Sequence, residues 1–288
     1  MKYLKKFSKH SDYNTYINSQ DRILPNVSYC ENENEVHYNP WTWAEEYLTF
    51  KALENGTFTF TPQNNNVISY STDNGNTWIE GNSVNVSEGD KVLWKGELIP
   101  NTNGIGKFSS TGNFEAKGNI MSLLYDDNFK GQTDLTGKDY AFCQLFQNNV
   151  KLINAKDLIL PATTLANNCY SYMFNGCTSL TTAPDLPATT LATYCYGYMF
   201  QNCTSLMTAP TLPAATLANY CYSNMFNGCT SLNYIKAMFT TTPSATYTNN
   251  WVNGVAATGT FVKNSSASWN VTSVNGVPSG WTVQTASE

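Results

Sequence analysis

The sequence predicts a mainly β chain with short helices, laid out as an N-terminal arm (1–44), an antiparallel β-sandwich (45–127), a solenoid of 26-residue units (128–240) and a β-rich C-terminal cap (241–288). Three observations lead there: a segment of apolar and polar alternation, a self-similar segment of fixed period, and a length of 288 residues. A single domain of roughly 100 to 150 residues would not use that length, so more than one module is expected.

The arm is set apart by lacking residues for a core of its own. A short helix is expected around Ser8 to Ile17, and Asn26-Val-Ser-Tyr-Cys30 with Glu35-Val-His-Tyr-Asn39 reads as a hairpin across Glu31 to Glu33. The start Met1-Lys-Tyr-Leu-Lys-Lys-Phe is positive but has no apolar run behind it, so a secretory signal is not expected. No stretch approaches the ~18 apolar residues of a spanning helix, so no membrane insertion is expected.

From about Tyr47 to Leu124 the period is two, as in Thr57-Phe-Thr-Phe-Thr61, Val67-Ile-Ser-Tyr70 and Lys91-Val-Leu-Trp-Lys95. Turn signals at Glu54-Asn-Gly56, Asp73-Asn-Gly75 and Glu88-Gly-Asp90 punctuate it at strand length, the pattern of antiparallel strands with one face buried. Ser71-Thr-Asp-Asn-Gly-Asn-Thr-Trp78 fits the Ser-x-Asp-x-Gly-x-Thr-Trp pattern of an Asp-box. It resembles the boxes of sialidases and other propeller glycosidases, where the box is a hairpin turn remote from the catalytic centre. A propeller would carry several copies and this chain has one, so the resemblance implies a tight hairpin and not glycan hydrolysis.

In the repeat segment Leu160-Pro-Ala-Thr-Thr-Leu-Ala166 recurs at Leu186 and, with one change, at Leu212. Cys169, Cys195 and Cys221 align, as do Met173, Met199 and Met225, Cys177, Cys203 and Cys229, and Leu180, Leu206 and Leu232. A degenerate earlier unit matches at an offset of 28, Leu145-Phe146 to Leu152 against Met173-Phe174 to Leu180. Each unit reads as a short helical turn, Cys-Tyr-x-x-Met-Phe, followed by an extended piece broken by Pro; one unit cannot bury its apolar side alone, so stacking is required. After Met238 the Trp251, Phe261, Trp269 and Trp281 set reads as a cap over the last open unit.

Charged residues are 13% of the chain, against a usual share of roughly 25%, and the net charge is −5. That gives no electrostatic footprint for a phosphate backbone, so nucleic acid is not an expected partner. Between Leu158 and Ile235 Asp185 is the one charged side chain; no carboxylate pair or triad can be assembled there, so no catalytic residue is expected. His10 and His37 lie in the arm, and Cys-x7-Cys spacing suits neither a zinc ribbon nor a finger, so neither metal nor cofactor is expected. The repeat cysteines read either as free core thiols or as disulfides between columns.

Positions that vary between otherwise identical units are the informative ones. Asn167-Asn168 stands against Thr193-Tyr194 and Asn219-Tyr220, and Ser171-Tyr172 against Gly197-Tyr198 and Ser223-Asn224. Tyr172, Tyr194, Tyr198, Tyr220, Asn168 and Asn224 are the candidate ligand contacts, because Tyr gives amphipathic area at low entropy cost and Asn gives hydrogen bonds. The alternative reading is a solvated helix face.

The repeats resemble BspA-like leucine-rich repeats, whose units end in a Phe-x-x-Cys-Thr-Ser-Leu signature, present here as Phe174 to Leu180, Phe200 to Leu206 and Phe226 to Leu232. The resemblance covers about 100 residues and implies a leucine-rich-repeat-like solenoid used in surface adhesion. The segment Leu24-Pro-Asn-Val-Ser-Tyr-Cys30 with Glu35-Val-His-Tyr-Asn-Pro40 is similar to a leader on structural proteins of phages that infect gut bacteria of the Bacteroides group. That implies a virion fibre or decoration protein, docked on other virion proteins through the arm, with Tyr29, His37 and Tyr38 as anchor candidates and a host-surface glycan or protein as ligand. A homo-oligomer is expected, although no coiled-coil heptads demand one. A bacterial cell-surface adhesin is the alternative.

Overall fold

The structure is a computed structural model that describes residues 46–286 and, as backbone only, three upstream strands, Leu4–Lys6 (β1), Val27–Cys30 (β2) and Glu35–Tyr38 (β3). These pair antiparallel in the order β1-β3-β2, with Val27 opposite Tyr38 and Cys30 opposite Glu35, the register the hairpin reading requires. The helix expected around Ser8 to Ile17 lies outside the described residues, as do the side chains of Tyr29, His37 and Tyr38.

Among the described residues the chain is mainly β, in several sheets, with short helices only. Strand β4 (Leu48–Ala52) turns Leu48, Phe50 and Ala52 inward, and β5 (Gly56–Pro62) buries Phe58 and Phe60 while Thr57, Thr59 and Thr61 face outward. β6 (Ser69–Ser71), β7 (Ile79–Glu80), β8 (Ser83–Val86), β9 (Lys91–Lys95), β10 (Gly106–Ser110) and β11 (Phe114–Asn119) follow. They form one sheet in the order β10-β5-β8 and a second that runs β11-β4-β9-β6-β7, all antiparallel. The sheets meet through aromatic edges: Phe50 lies 5.4 Å from Phe58 and 4.7 Å from Phe108, and Trp94 5.1 Å from Phe108. Period-two alternation therefore becomes a core because alternate side chains of both sheets share one interior.

Beyond the helix α1 (Ser122–Tyr125) and a 3-10 turn at Asp126–Asn128, strands β12 (Leu152–Asn154) and β13 (Leu158–Ile159) pair parallel with β11. The first repeat unit thus extends the sheet, and Phe146 packs 5.8 Å from Phe50 and 5.9 Å from Phe108. The core runs through residue 127 without interruption.

In the units that follow, the expected helical turn is not there. Residues 168–176 form consecutive tight turns instead, and their amide donors alternate. Cys169, Ser171, Met173, Asn175 and Cys177 donate to the carbonyl three residues earlier, whereas Asn168, Tyr170, Tyr172, Phe174 and Gly176 donate to Thr193, Cys195, Gly197, Met199 and Gln201 of the next unit. An α-helix needs every amide for its own i−4 carbonyl; here half of them are committed across the stack. Each fourth residue is also left-handed, with φ of 55° at Asn168, 58° at Tyr172 and 72° at Gly176, which ends any helix.

The stacked units bury Cys169, Tyr170, Met173, Phe174, Cys177 and Leu180 and their counterparts at 26-residue steps. Rings stack near-parallel in two columns. Phe146, Phe174, Phe200 and Phe226 succeed one another at 5.5, 5.3 and 5.8 Å, and Phe142, Tyr170, Tyr196 and Tyr222 at 5.5, 5.7 and 6.0 Å. Each buried Met, Phe or Leu contributes about 1.5–3 kcal/mol, available only when a neighbour covers it.

The stack does not stop at residue 240. Tyr222, Asn224, Phe226 and Gly228 donate to Tyr247, Asn249, Trp251 and Asn253, so residues 246–254, entered through α2 (Ala245–Thr248), form one more layer. β14 (Tyr234–Ala237), β15 (Thr260–Lys263) and β16 (Thr282–Thr285) pair in parallel, Tyr234 beside Thr260 and Thr260 beside Thr282. Trp251, Phe261, Trp269 and Trp281 are buried at this end, and the Trp251 indole N–H donates to the Gly276 carbonyl at 2.9 Å.

Candidate functional site

The left-handed residues line up as three columns along the stack. The first holds Tyr140, Asn168, Tyr194 and Tyr220; the second Gln144, Tyr172, Tyr198, Asn224 and Asn250; the third Asn148, Gly176, Asn202, Gly228 and Gly254, all with φ between 49° and 78°. The cross-unit amide bonds assign the registers, since Tyr140 donates to Asn167 and Gln144 to Ser171 as Tyr172 does to Gly197. Gly and Asn enter this region cheaply, but for a bulky residue it costs about 1–2 kcal/mol. Tyr occupies five of these slots.

Two pairs of the tyrosines are stacked face to face. Tyr172 and Tyr198 have centroids 4.4 Å apart at 5°, and Tyr194 and Tyr220 4.7 Å apart at 10°. Tyr220 is the most open at 38% exposure, while Tyr172, Tyr194, Tyr198 and Asn168 are half-buried. Burial first, then Tyr198 and its hydroxyl hydrogen bond, pushes the Tyr172 phenol up to about 12; burial and the neighbouring Tyr220 raise Tyr194. Both phenols therefore stay protonated at neutral pH and can each donate and accept.

Small residues make room for the rings. A side chain at Gly197 would meet the Tyr194 ring at 3.0 Å. In the third column Asn and Gly alternate over Asn148, Gly176, Asn202 and Gly228, because a Cβ at Gly176 would overlap the Asn148 amide oxygen and one at Gly228 that of Asn202. An amide ladder continues beside them, with Asn175 donating to Gln201 at 2.8 Å and Gln147 accepting from Lys107 at 2.6 Å.

Of the six residues singled out by variation between units, Asn168, Tyr172, Tyr194, Tyr198 and Tyr220 lie on this ladder with surface to offer. Asn224 shares the second column but is 7% exposed, and its amide bonds Ser223 and Asn227; it closes the ladder with little surface to offer. Ser171 and Ser223 are also internal, Ser171 donating to the Gly197 carbonyl at 3.0 Å. Tyr140 and Gln144 belong to the ladder and were missed. The 28-residue offset of the first unit, once extended back from Leu145, carries both.

The seven described cysteines are free and buried, and burial pushes Cys143, Cys177, Cys221 and Cys229 up to about 12, so none is a ready nucleophile. Cys177, Cys203 and Cys229 donate S–H to the carbonyls of Phe146, Phe174 and Phe200 at 3.0, 3.1 and 2.9 Å. The Asp-box is a hairpin between β6 and β7: the Ser71 hydroxyl accepts from the Gly75 amide at 2.8 Å, and Asp73 accepts from the Thr77 amide at 2.9 Å and hydroxyl at 2.7 Å. Those bonds, with Ser71, hold the Asp73 carboxyl down at about 2. Beside it Lys95 lies 4.6 Å over the Trp78 ring and bonds Asp126 and Asp127, both at 2.7 Å.

Among the described residues there is no group of three or more His, Cys, Asp or Glu placed to hold a metal ion, and no helix long and apolar enough to cross a membrane. No family model, curated protein or solved structure matches the chain.

Proposed function

We propose that this chain is a non-enzymatic recognition protein of a phage particle, a fibre or decoration component. In this reading the N-terminal segment docks on other virion proteins through Tyr29, His37 and Tyr38, and the two facing sheets are a β-sandwich that spaces it from the stack. The stacked units are a leucine-rich-repeat-like solenoid that presents the tyrosine ladder to a host surface or its glycan layer. Copies in a homo-oligomer would add weak contacts into avidity.

The observation that carries the recognition role is the placement of tyrosine in left-handed slots. Asn and Gly fill equivalent slots elsewhere in the same stack, so the fold does not require a phenol there. Strain of this kind, held by surrounding structure, marks positions kept for a task other than stability. The attachment role is carried by the likeness of the segment around β2 and β3 to phage leaders. The repeat signature equally suits a bacterial cell-surface adhesin, the second reading.

Mass spectrometry and immunogold labelling of purified particles test the assignment. The chain is expected in the virion; recovery in bacterial envelope fractions alone would establish the adhesin reading instead. Substituting the ladder tyrosines by Ala is expected to abolish adhesion to host cells, and unchanged adhesion would defeat the recognition role.

A further inference from the structure

We infer that the ladder binds an uncharged polysaccharide, laid along the stack and held by hydroxyl-to-hydroxyl hydrogen bonds and not by sugar faces on ring faces. This rests on the recognition reading above. The stacked pairs Tyr172 with Tyr198 and Tyr194 with Tyr220 turn ring faces toward each other at 4.4 and 4.7 Å. What remains to offer a ligand is ring edges and phenol hydroxyls, one donor of the Tyr172 and Tyr198 pair being taken by the bond between them, joined by the half-buried Asn168 amide. A protonated phenol is one donor and an acceptor, and so is each hydroxyl of a sugar; a carboxylate or phosphate could use only the donor half.

Charge narrows the class further. No Lys, Arg or His lies between Leu158 and Ile235, and beside the first rung Lys107 is engaged by Gln147 and Lys138 lies over the Tyr125 ring, so an acidic glycan along the later rungs would lose its hydration without a cation to replace it. Repetition selects a polymer. Taking the two columns together, a phenol returns at each step of the stack, at Tyr140, Tyr172, Tyr194 with Tyr198, and Tyr220, so a ligand that also repeats can engage successive rungs, each weakly, with the sum set by their number. An irregular protein surface has no such repeat to match.

Affinity electrophoresis of the full chain through gels containing dextran, yeast mannan, a galactomannan or a mixed-linkage β-glucan, with alginate and heparin as acidic counterparts, tests this. At least one neutral polymer should retard the chain, and retardation should be indifferent to NaCl, since no ion pair is screened. The doubly substituted Tyr172→Phe/Tyr198→Phe chain keeps both rings and loses two hydroxyls, which should weaken binding about tenfold, with an unchanged thermal midpoint showing that the fold is intact. Retardation by alginate or heparin alone, weakened by salt, would overturn the inference. So would retardation by no polymer while Tyr172→Ala/Tyr198→Ala still abolishes adhesion to Bacteroides-group cells; that result leaves recognition standing with another ligand, a protein first. Full adhesion by the Ala variant would remove both readings together.

Discussion

Tyr198→Asn and Tyr196→Asn make the same chemical change two residues apart, and should have very different effects on stability. At Tyr198 the backbone is left-handed, φ 61°; Asn tolerates that region, so relief of about 1 kcal/mol is expected. Against it stands loss of the ring stacked 4.4 Å from Tyr172, about 0.5–1.5 kcal/mol. The two nearly cancel, and the net change should stay within about 1 kcal/mol. Tyr196 is 2% exposed, with Tyr170 at 5.7 Å and Tyr222 at 6.0 Å; emptying that site should cost roughly 3–5 kcal/mol, before the penalty for a buried amide. Urea unfolding followed by circular dichroism at fixed chain concentration measures both. A Tyr198→Asn cost above about 2 kcal/mol would mean that the phenol is held for packing, and the recognition role would lose its main support.

The phenol hydroxyls of Tyr170 and Tyr222 are buried with no hydrogen-bond partner, so Tyr170→Phe and Tyr222→Phe should each raise stability by about 1 kcal/mol, and a lowered urea midpoint would show that those hydroxyls are satisfied in solution. Gly176→Ala should cost about 2–4 kcal/mol from its φ of 72° and the overlap with Asn148; adding Asn148→Gly should recover about 1 kcal/mol or more of it, and strictly additive midpoints would refute the contact. The buried thiols have folded pKa values raised above 9.0, several to about 12, so their stabilisation is complete below pH 9 and is lost as pH climbs toward 12, at about 1.4 kcal/mol per pH unit for each thiol ionised only when unfolded. Under reducing conditions the urea midpoint should therefore hold from pH 6 to 8 and fall by pH 10; a flat profile through pH 10 would contradict burial of the thiol columns.

Much of this architecture was legible in the sequence. Alternation in Thr57 to Thr61 and Lys91 to Lys95 located strands, the Ser71 to Trp78 pattern located a hairpin, and the 26-residue columns located the stacked core. The sequence pattern points to a helix because buried residues at Cys169, Tyr170, Met173 and Phe174 have spacings that a helical stripe shares with a succession of four-residue turns. What separates them is the destination of alternate amides, and that exists only when a second unit is present. The Asn175-Gly176 pair is a true left-handed signal, and it marks the third such position in the unit. Exchange of Tyr for Asn at 168, 194 and 220 and at 172, 198 and 224 points to the other two, since after glycine Asn is the residue that best tolerates that backbone. The joint between β11 and β12 was invisible because parallel pairing leaves no mark in either strand's own pattern.

The alternation of amides gives the stack a direction. Each unit's outward N–H groups find their carbonyls in the unit that follows, so a chain emerging from the ribosome would present, at every stage, a row of donors whose acceptors are not yet made. That leading edge is adhesive to any extended backbone until the last segment arrives, where the Val252 amide bonds Val274 at 3.3 Å, the Asn250 amide bonds the Asn275 side chain at 2.7 Å and the Thr248 hydroxyl bonds the Asn275 carbonyl at 2.7 Å. Residues 274–275 therefore supply acceptors to the last layer, and a chain truncated before them would keep a row of outward donors unpaired.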